Sequence, residues 1–300
     1  MHWFNKMIVG MMPAFPKSFI WMFSRRYIAG KRLEDAVRKT KQLNATGSLA
    51  TIDVLGEDIT DLSEAAAARE EGLLVLEAIR SEALEANLSV KLTQLGLRLD
   101  KEACFQNVRT LAKKAAENNC FLRIDMEDST CTDETLDLYR RIRREFPRSG
   151  TVIQAYLKRS EADVRRLIDD QIAHLRICKG IYDERPEIAY KEREEIRDEY
   201  KKLVGMMFDS GSYAGIATHD RKLVDWAVQT VRERNIPREN YEFQMLLGVT
   251  EKVRKALVRD GHRLRVYVPF GERWYGYCMR RMKENPRVAG LIIKNLFIRD

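Results

Sequence analysis

Cysteine and histidine are scarce in this sequence. The five cysteines (Cys104, Cys120, Cys131, Cys178, Cys278) form no CxxC pair, and the four histidines (His2, His174, His219, His262) are scattered, so no zinc or iron ligand spacing is present. That cysteine pattern fits a reducing compartment better than a disulfide-stapled domain. No GxGxxG or GxxxxGK[ST] follows any strand-like run, which removes the usual nucleotide signals, and no serine-histidine-aspartate arrangement can be placed. No linker or low-complexity stretch divides the chain. Long apolar runs are missing too. The apolar, aromatic opening MHWFNKMIVGMMPAFPKSFIWMFSRRYIAG is interrupted by Pro13, Pro16 and Lys17, short of the roughly 20 clean residues of a spanning helix. It has no small-residue cleavage site after a clean apolar core, which argues against a signal peptide.

What is present is charge of both signs. Fifty-three basic and 45 acidic residues give a net +8, mostly as solvated helix faces, and nucleic-acid binding is not expected. With 45% hydrophobic content in 300 residues, the chain can bury a large core. The N-terminal stretch reads as a helical arm packing on the domain. The alternative is a membrane-touching surface, with Trp3, Phe19, Trp21 and Phe23 apolar and Arg25, Arg26, Lys31 and Arg32 basic.

From residue 48 on, short β-rich runs alternate with longer amphipathic helical patterns. The runs are LATIDVLG, LSVKLTQLG, CFLRIDME, TVIQAYL, LRICKGIY, YAGIATHD, YEFQMLLG and LRVYVPFG. Asp61 or Ser63, Asp100, Thr132 and Ser160 are the expected helix caps. Eight such units predict a (βα)8 TIM-type barrel over residues 45–300, preceded by a helical arm over 1–44. A doubly wound open sheet is the runner-up.

In a barrel of this kind the active site lies at the C-terminal ends of the strands. Those positions carry Asp53, Lys91, Asp125, Gln154, Arg176 with Lys179, Thr218 with His219, Gln244 and Tyr267. Polar groups in otherwise apolar strands are informative, and here all eight strands carry one. Near the C-terminus, WYGYCMRRMKEN sets Tyr277, Arg280, Arg281 and Glu284 at i, i+3, i+4 and i+7, one helical face, with Trp274, Cys278, Met279 and Met282 on the other. If that helix lies over the mouth, its arginines join Lys91 in a cationic pocket suited to a carboxylate or phosphate. On spacing alone, pairing of the arginines with Glu284 is an equal reading. Lys91 could instead be a Schiff-base lysine and Asp125 an orienting group, a base or a structural ion-pair partner; Tyr267 and Tyr277 could pack on a substrate ring, although core filling is commoner, and Leu246 could form an apolar wall, although a lone leucine is core by default.

The strings SVKLTQLG, IDMED, LRICKGIY, IATHD, EFQMLLG, RVYVPFG and YCMRRMKEN, in this order, resemble the proline dehydrogenase family in its monofunctional bacterial form. The resemblance runs from about Leu88 to the C-terminus, with ATIDVLGED as a first strand. It implies a (βα)8 barrel with non-covalent FAD that oxidises L-proline to Δ1-pyrroline-5-carboxylate, the first step of proline catabolism. Hydride would pass from proline C5 to flavin N5, and electrons onward to a membrane quinone. By position it implies that Arg280, Arg281 and Lys91 hold the proline carboxylate, that Tyr267, Tyr277 and Leu246 pack on the ring, that Asp125 supports the polar side, and that Glu284 braces the arginine helix. For the cofactor it implies Arg176 near N5, Gln154, Lys179 and Gly180 near the isoalloxazine, and Thr218 and His219 along the ribityl and phosphate part. The expected location is cytoplasmic, with peripheral contact at the inner face of the cell membrane left open. Two residues depart from the family pattern: Ile181 stands where a small residue such as alanine is usual, and Asp220 where asparagine is common.

Overall fold

The computed structural model describes residues 17–56 and 59–284, with backbone alone described at 17–19, 23 and 280–284. Each of the eight expected runs is a strand. They are β1 (Leu49–Val54), β2 (Ala86–Val90), β3 (Leu122–Ile124), β4 (Ser149–Gln154), β5 (His174–Cys178), β6 (Tyr213–Ala217), β7 (Tyr241–Leu246) and β8 (Leu264–Phe270). All neighbours pair in parallel and β8 returns to β1, closing the barrel in sequence order. Two helices, α1 (Lys17–Ser24) and α2 (Leu33–Asn44), precede β1. One helix then follows each strand: α3 (Leu62–Ser81), α4 (Lys101–Glu117), α5 (Thr132–Glu145), α6 (Ser160–Asp169), α7 (Arg193–Asp209), α8 (Arg221–Glu233), α9 (Glu251–Arg259) and α10 (Trp274–Glu284).

Local chemistry fixes several starts. Asp61 accepts from Ser63 N and Asp100 from Glu102 N and Ala103 N, each satisfying amides that the first helical turn leaves without a partner. Thr132 and Ser160 are not caps. Each is already the first helical residue, and Ser160 Oγ instead donates to the carbonyl of Gln154 (2.6 Å), tying the start of α6 to the end of β4.

A single alternation along the strands builds both layers. In β8, Leu264, Val266 and Val268 pack outward in the main core beneath the helices, while Arg265 and Tyr267 cross the interior to Glu242 and Asp125. In β5, Leu175 and Ile177 are core, whereas Arg176 bonds to Asp125 just past β3 and to Gln244 of β7. Successive side chains point to opposite faces of a strand, so this pattern gives an apolar shell around a polar axis. Near the N-terminal ends of the strands the axis is closed by buried ionic groups. Arg123 donates to the carbonyls of Thr151 (2.7 Å) and His174 (2.8 Å), and Arg265 pairs with Glu242 (2.6 Å). Burial, with Arg176 nearby, draws the Arg123 guanidinium down to about 10.

Helix α2 packs outside β1 and β8. Helix α1 lies against α10 in a second apolar cluster of Ile20, Tyr27, Ile28, Leu55, Trp274, Tyr277, Cys278 and Met279, with the Trp21 and Trp274 rings edge to face at 4.8 Å. The chain after α1 is fastened to the barrel mouth: Arg26 Nε donates to Gly248 O (2.9 Å) and Ala29 N to Pro269 O (2.9 Å). Gly248 sits at φ +76°, and a Cβ there would overlap the carbonyl of Arg26, so the close approach requires glycine.

Candidate active site

Strand ends bring six of the expected residues into one hydrogen-bonded network. Lys91, just past β2, donates from Nζ to Asp53 Oδ1 of β1 (2.8 Å) and lies 3.5 Å from the Tyr267 hydroxyl of β8. Tyr267 donates to Asp125 Oδ2 (2.8 Å), just past β3. Asp125 Oδ1 also accepts from Ser89 (2.6 Å) and from Arg176 Nη1 of β5 (2.7 Å). Arg176 Nε donates to Gln244 Oε1 of β7 (2.5 Å), and its guanidinium carbon is 5.4 Å from the centroid of the Tyr267 ring. Six strands thus converge on two carboxylates and two cations with almost no solvent contact.

The two carboxylates are tuned apart. Burial raises Asp53 to about 6; Lys91 opposes the rise and the neighbouring Asp125 charge adds to it. Burial acts on Asp125 too, but Arg176, Lys91 and the Ser89 and Tyr267 hydroxyls outweigh it and leave Asp125 below the ordinary range. Tyr267 is held well above its ordinary value by burial and by Asp125 and Asp53, so it remains a donor.

The remaining expected residues form neighbouring groups at the same end. Gln154 donates to the carbonyl of Glu127 (2.7 Å), whose carboxylate accepts from Thr93. Lys179 pairs with Asp220 (3.1 Å), which also takes Arg197 (2.8 Å) and caps α8. Although burial opposes it, hydrogen bonds from Arg197 and Lys179 bring Asp220 down to about 2. Thr218 Oγ1 accepts from Asp220 N, while His219 Nε2 accepts from the backbone of Leu246 (2.8 Å). A ring nitrogen that accepts carries no proton, so His219 has its proton on Nδ1. Gly180 stands at φ +106°.

Tyr277 departs from the expected helix faces. It is buried in the same apolar cluster as Trp274, Cys278 and Met279, to which α1, Tyr27, Ile28 and Leu55 also contribute. Arg280, Arg281 and Glu284 fall within α10, but their side chains lie outside the described residues. Ser89 and Glu242 belong to the network and were not singled out from sequence. Both are polar positions flanked by apolar ones in a strand, the signal that marked Gln244 and Tyr267.

The sequence profile of the Proline dehydrogenase family matches residues 36–292. The chain belongs to the proline dehydrogenase family. It is 38% identical over 273 residues to proline dehydrogenase 1 of Bacillus subtilis (strain 168), covering 91% of this chain and 90% of that one. It is 33% identical over 282 residues to the proline dehydrogenase of Deinococcus radiodurans, covering 92% and 91%. Among solved structures, proline utilization A (PutA) from Bdellovibrio bacteriovorus, inactivated by N-propargylglycine, superposes with a TM-score of 0.83 at 24% identity. That match covers 89% of this chain and 33% of that one, and shows the shared barrel fold. As a proline dehydrogenase, the chain is an oxidoreductase of proline catabolism.

Proposed function

We propose that this proline dehydrogenase uses FAD to oxidise L-proline to Δ1-pyrroline-5-carboxylate at the C-terminal mouth of the barrel. The observation that carries the reading is the buried network joining Lys91, Asp53, Tyr267, Asp125 and Arg176 beneath that mouth. The donor set fits FAD. Arg176 keeps Nη2 without a partner among the described residues, and Lys179, Thr218 and His219 place a cation and polar hydrogens at the ends of β5 and β6. Gly180, where a Cβ would overlap the Tyr156 ring, leaves the backbone bare beside Lys179. Arg176, Gln154, Lys179 and Gly180 would hold the ring system, and Thr218 and His219 the ribityl and phosphate part. When bound, FAD would supply the two-electron acceptor for the hydride leaving C5 of proline.

The chain's own residues do the positioning. Lys91, with Arg280 and Arg281, holds the proline carboxylate, and Asp53 fixes the Lys91 ammonium in its ion pair. Tyr267, Leu246 and Tyr277 pack on the ring, while Glu284 braces the arginine helix. Asp125 holds Tyr267 and Arg176 at fixed separation, so ring and cofactor meet in one geometry. We further propose that electrons pass to a membrane quinone, with residues 1–44 as an arm touching the membrane periphery. Exposed Met22 in α1, Arg25 just after it and Arg32 at the start of α2 support that contact, and among the described residues no helix is long and apolar enough to cross a membrane.

The test is the visible spectrum of the purified protein before and after adding L-proline without oxygen. Flavin bands that bleach support both cofactor and substrate. A yellow protein that proline leaves unbleached refutes the substrate assignment and makes Ile181, 45% exposed just past Gly180, the first residue to change. A colourless protein that takes up no FAD refutes the cofactor.

A further inference from the structure

The polar chain beneath the mouth continues past Arg176. Gln244 Oε1 accepts from Arg176 Nε (2.5 Å), and Gln244 Nε2 donates to Glu242 Oε1 (2.7 Å), which also accepts from Arg265 Nε (2.6 Å). A guanidinium can only donate and a carboxylate can only accept, so the amide between them has one permitted orientation. Its carbonyl faces Arg176 and its NH2 faces Glu242.

This bridge must pass over β6, which separates β5 from β7. The register sets Arg176 beside Gly215 and Gly215 beside Glu242. A Cβ on Gly215 would stand 2.7 Å from Gln244 Nε2 and 3.3 Å from Arg176 Cα, inside normal contact. Gly215 is not among the residues with positive φ, so space and not backbone conformation asks for glycine here. A bare position on the middle strand, a glutamine of fixed orientation and a buried anchoring carboxylate are three separate features serving one bridge.

We infer that Gln244 is a positioning residue for Arg176, anchored by Glu242 across the bare backbone of Gly215. The assignment rests on the reading that Arg176 faces the cofactor. Asp125 takes Nη1, Gln244 takes Nε, and the face lies toward the Tyr267 ring, so Nη2 is the edge presented to the mouth. With Nε released, the guanidinium can pivot about the Asp125 bond, and a group aimed at developing charge loses its direction.

The experiment compares Gln244→Leu, Gly215→Ala and their double variant with wild type as FAD-loaded enzymes. It measures kcat, KM for proline and the flavin reduction potential. The carboxylate grip is untouched, so KM should stay within about twofold, while kcat falls about tenfold or more, as when one aimed donor is lost. The potential should move negative, because a cation that stabilises the reduced, anionic flavin is no longer held in place. Gly215→Ala removes no polar group, so it tests the bridge even if Gln244→Leu folds poorly. Because both changes break the same bridge, the double variant should be no worse than the more damaging single one. Wild-type kcat and potential in either single variant, or additive losses in the double, would overturn the inference. Arg176→Met separates the two levels. If it changes neither potential nor kcat, the cofactor-facing reading has failed; if it changes both while the bridge variants do not, only the positioning role has.

Discussion

Replacing Asp125 by asparagine tests whether the buried network carries its charges as the structure implies. Asp125 accepts from Ser89 and Arg176 on one oxygen and from Tyr267 on the other. Asparagine keeps the first oxygen's bonds. Its NH2 then meets the Tyr267 hydroxyl as a second donor, and Arg176 loses its counter-charge while its side chain stays about nine-tenths buried. Breaking a buried pair from one side is worth about 3–5 kcal/mol. For 300 residues, at about 2.1 cal/mol/K of unfolding entropy each, one kcal/mol moves Tm by roughly 1.6 °C, so a fall of about 5–8 °C is expected. The control is Glu82→Gln, which breaks the exposed Lys41–Glu82 pair at 2.5 Å. That pair is worth under about 1 kcal/mol, so its Tm shift should stay below about 2 °C. Differential scanning calorimetry with equal added FAD reads both. Shifts of equal size, or a fall under about 2 °C for Asp125→Asn, would refute the view that Asp125 compensates a buried cation.

Three further outcomes follow from named contacts. Lys91→Met and Arg280→Met should each raise KM for proline by tenfold or more while FAD stays bound, since a charge-assisted contact is worth about 1.5–3 kcal/mol; steady-state kinetics with near-normal KM in both would remove the carboxylate assignment. Asp53 is raised from 3.8 to about 6 on folding, so the native state holds a proton there that the unfolded chain has released, and stability falls as pH rises through that window. Asp53→Asn lacks this loss, so its stability relative to wild type should climb between pH 4 and 7 by up to roughly 3 kcal/mol, and a pH-independent difference in denaturant unfolding would contradict it. Gly248→Ala should lower stability by about 2–4 kcal/mol through a positive φ and collision with Arg26, visible as a lower Tm; an unchanged Tm would mean that the arm does not seat where the structure puts it.

Much of this is legible in the sequence alone. Strand runs such as LRICKGIY and LRVYVPFG, separated by amphipathic helices, were enough for a closed (βα)8 count, because hydrophobic period depends only on local order. The same pattern marked Asp53, Lys91, Asp125, Arg176, Gln244 and Tyr267, since a polar residue at a strand end is conspicuous in a one-dimensional string. The caps divided by chemistry. Asp61 and Asp100 behave as their short carboxylates dictate, whereas Ser160 found a partner across the β4 turn that no local rule supplies.

The tertiary structure alone decided which of these groups touch. Asp125 and Arg176 are 51 positions apart, and Lys91 and Tyr267 are 176 apart. No spacing rule reaches across such separations; barrel closure and register do. Register also explains Gly215, which reads as an ordinary strand glycine until β5 and β7 are set on either side of it. Tyr277 makes the complementary point. Helical spacing puts it on a polar face, but the fold buries it in one apolar cluster with Trp274, Cys278 and residues of the N-terminal segment. Periodicity is a property of the segment, so the sequence determined the elements and the chemistry each strand end offers. Burial and partnership depend on what packs against the segment, and that was settled only when the chain closed on itself.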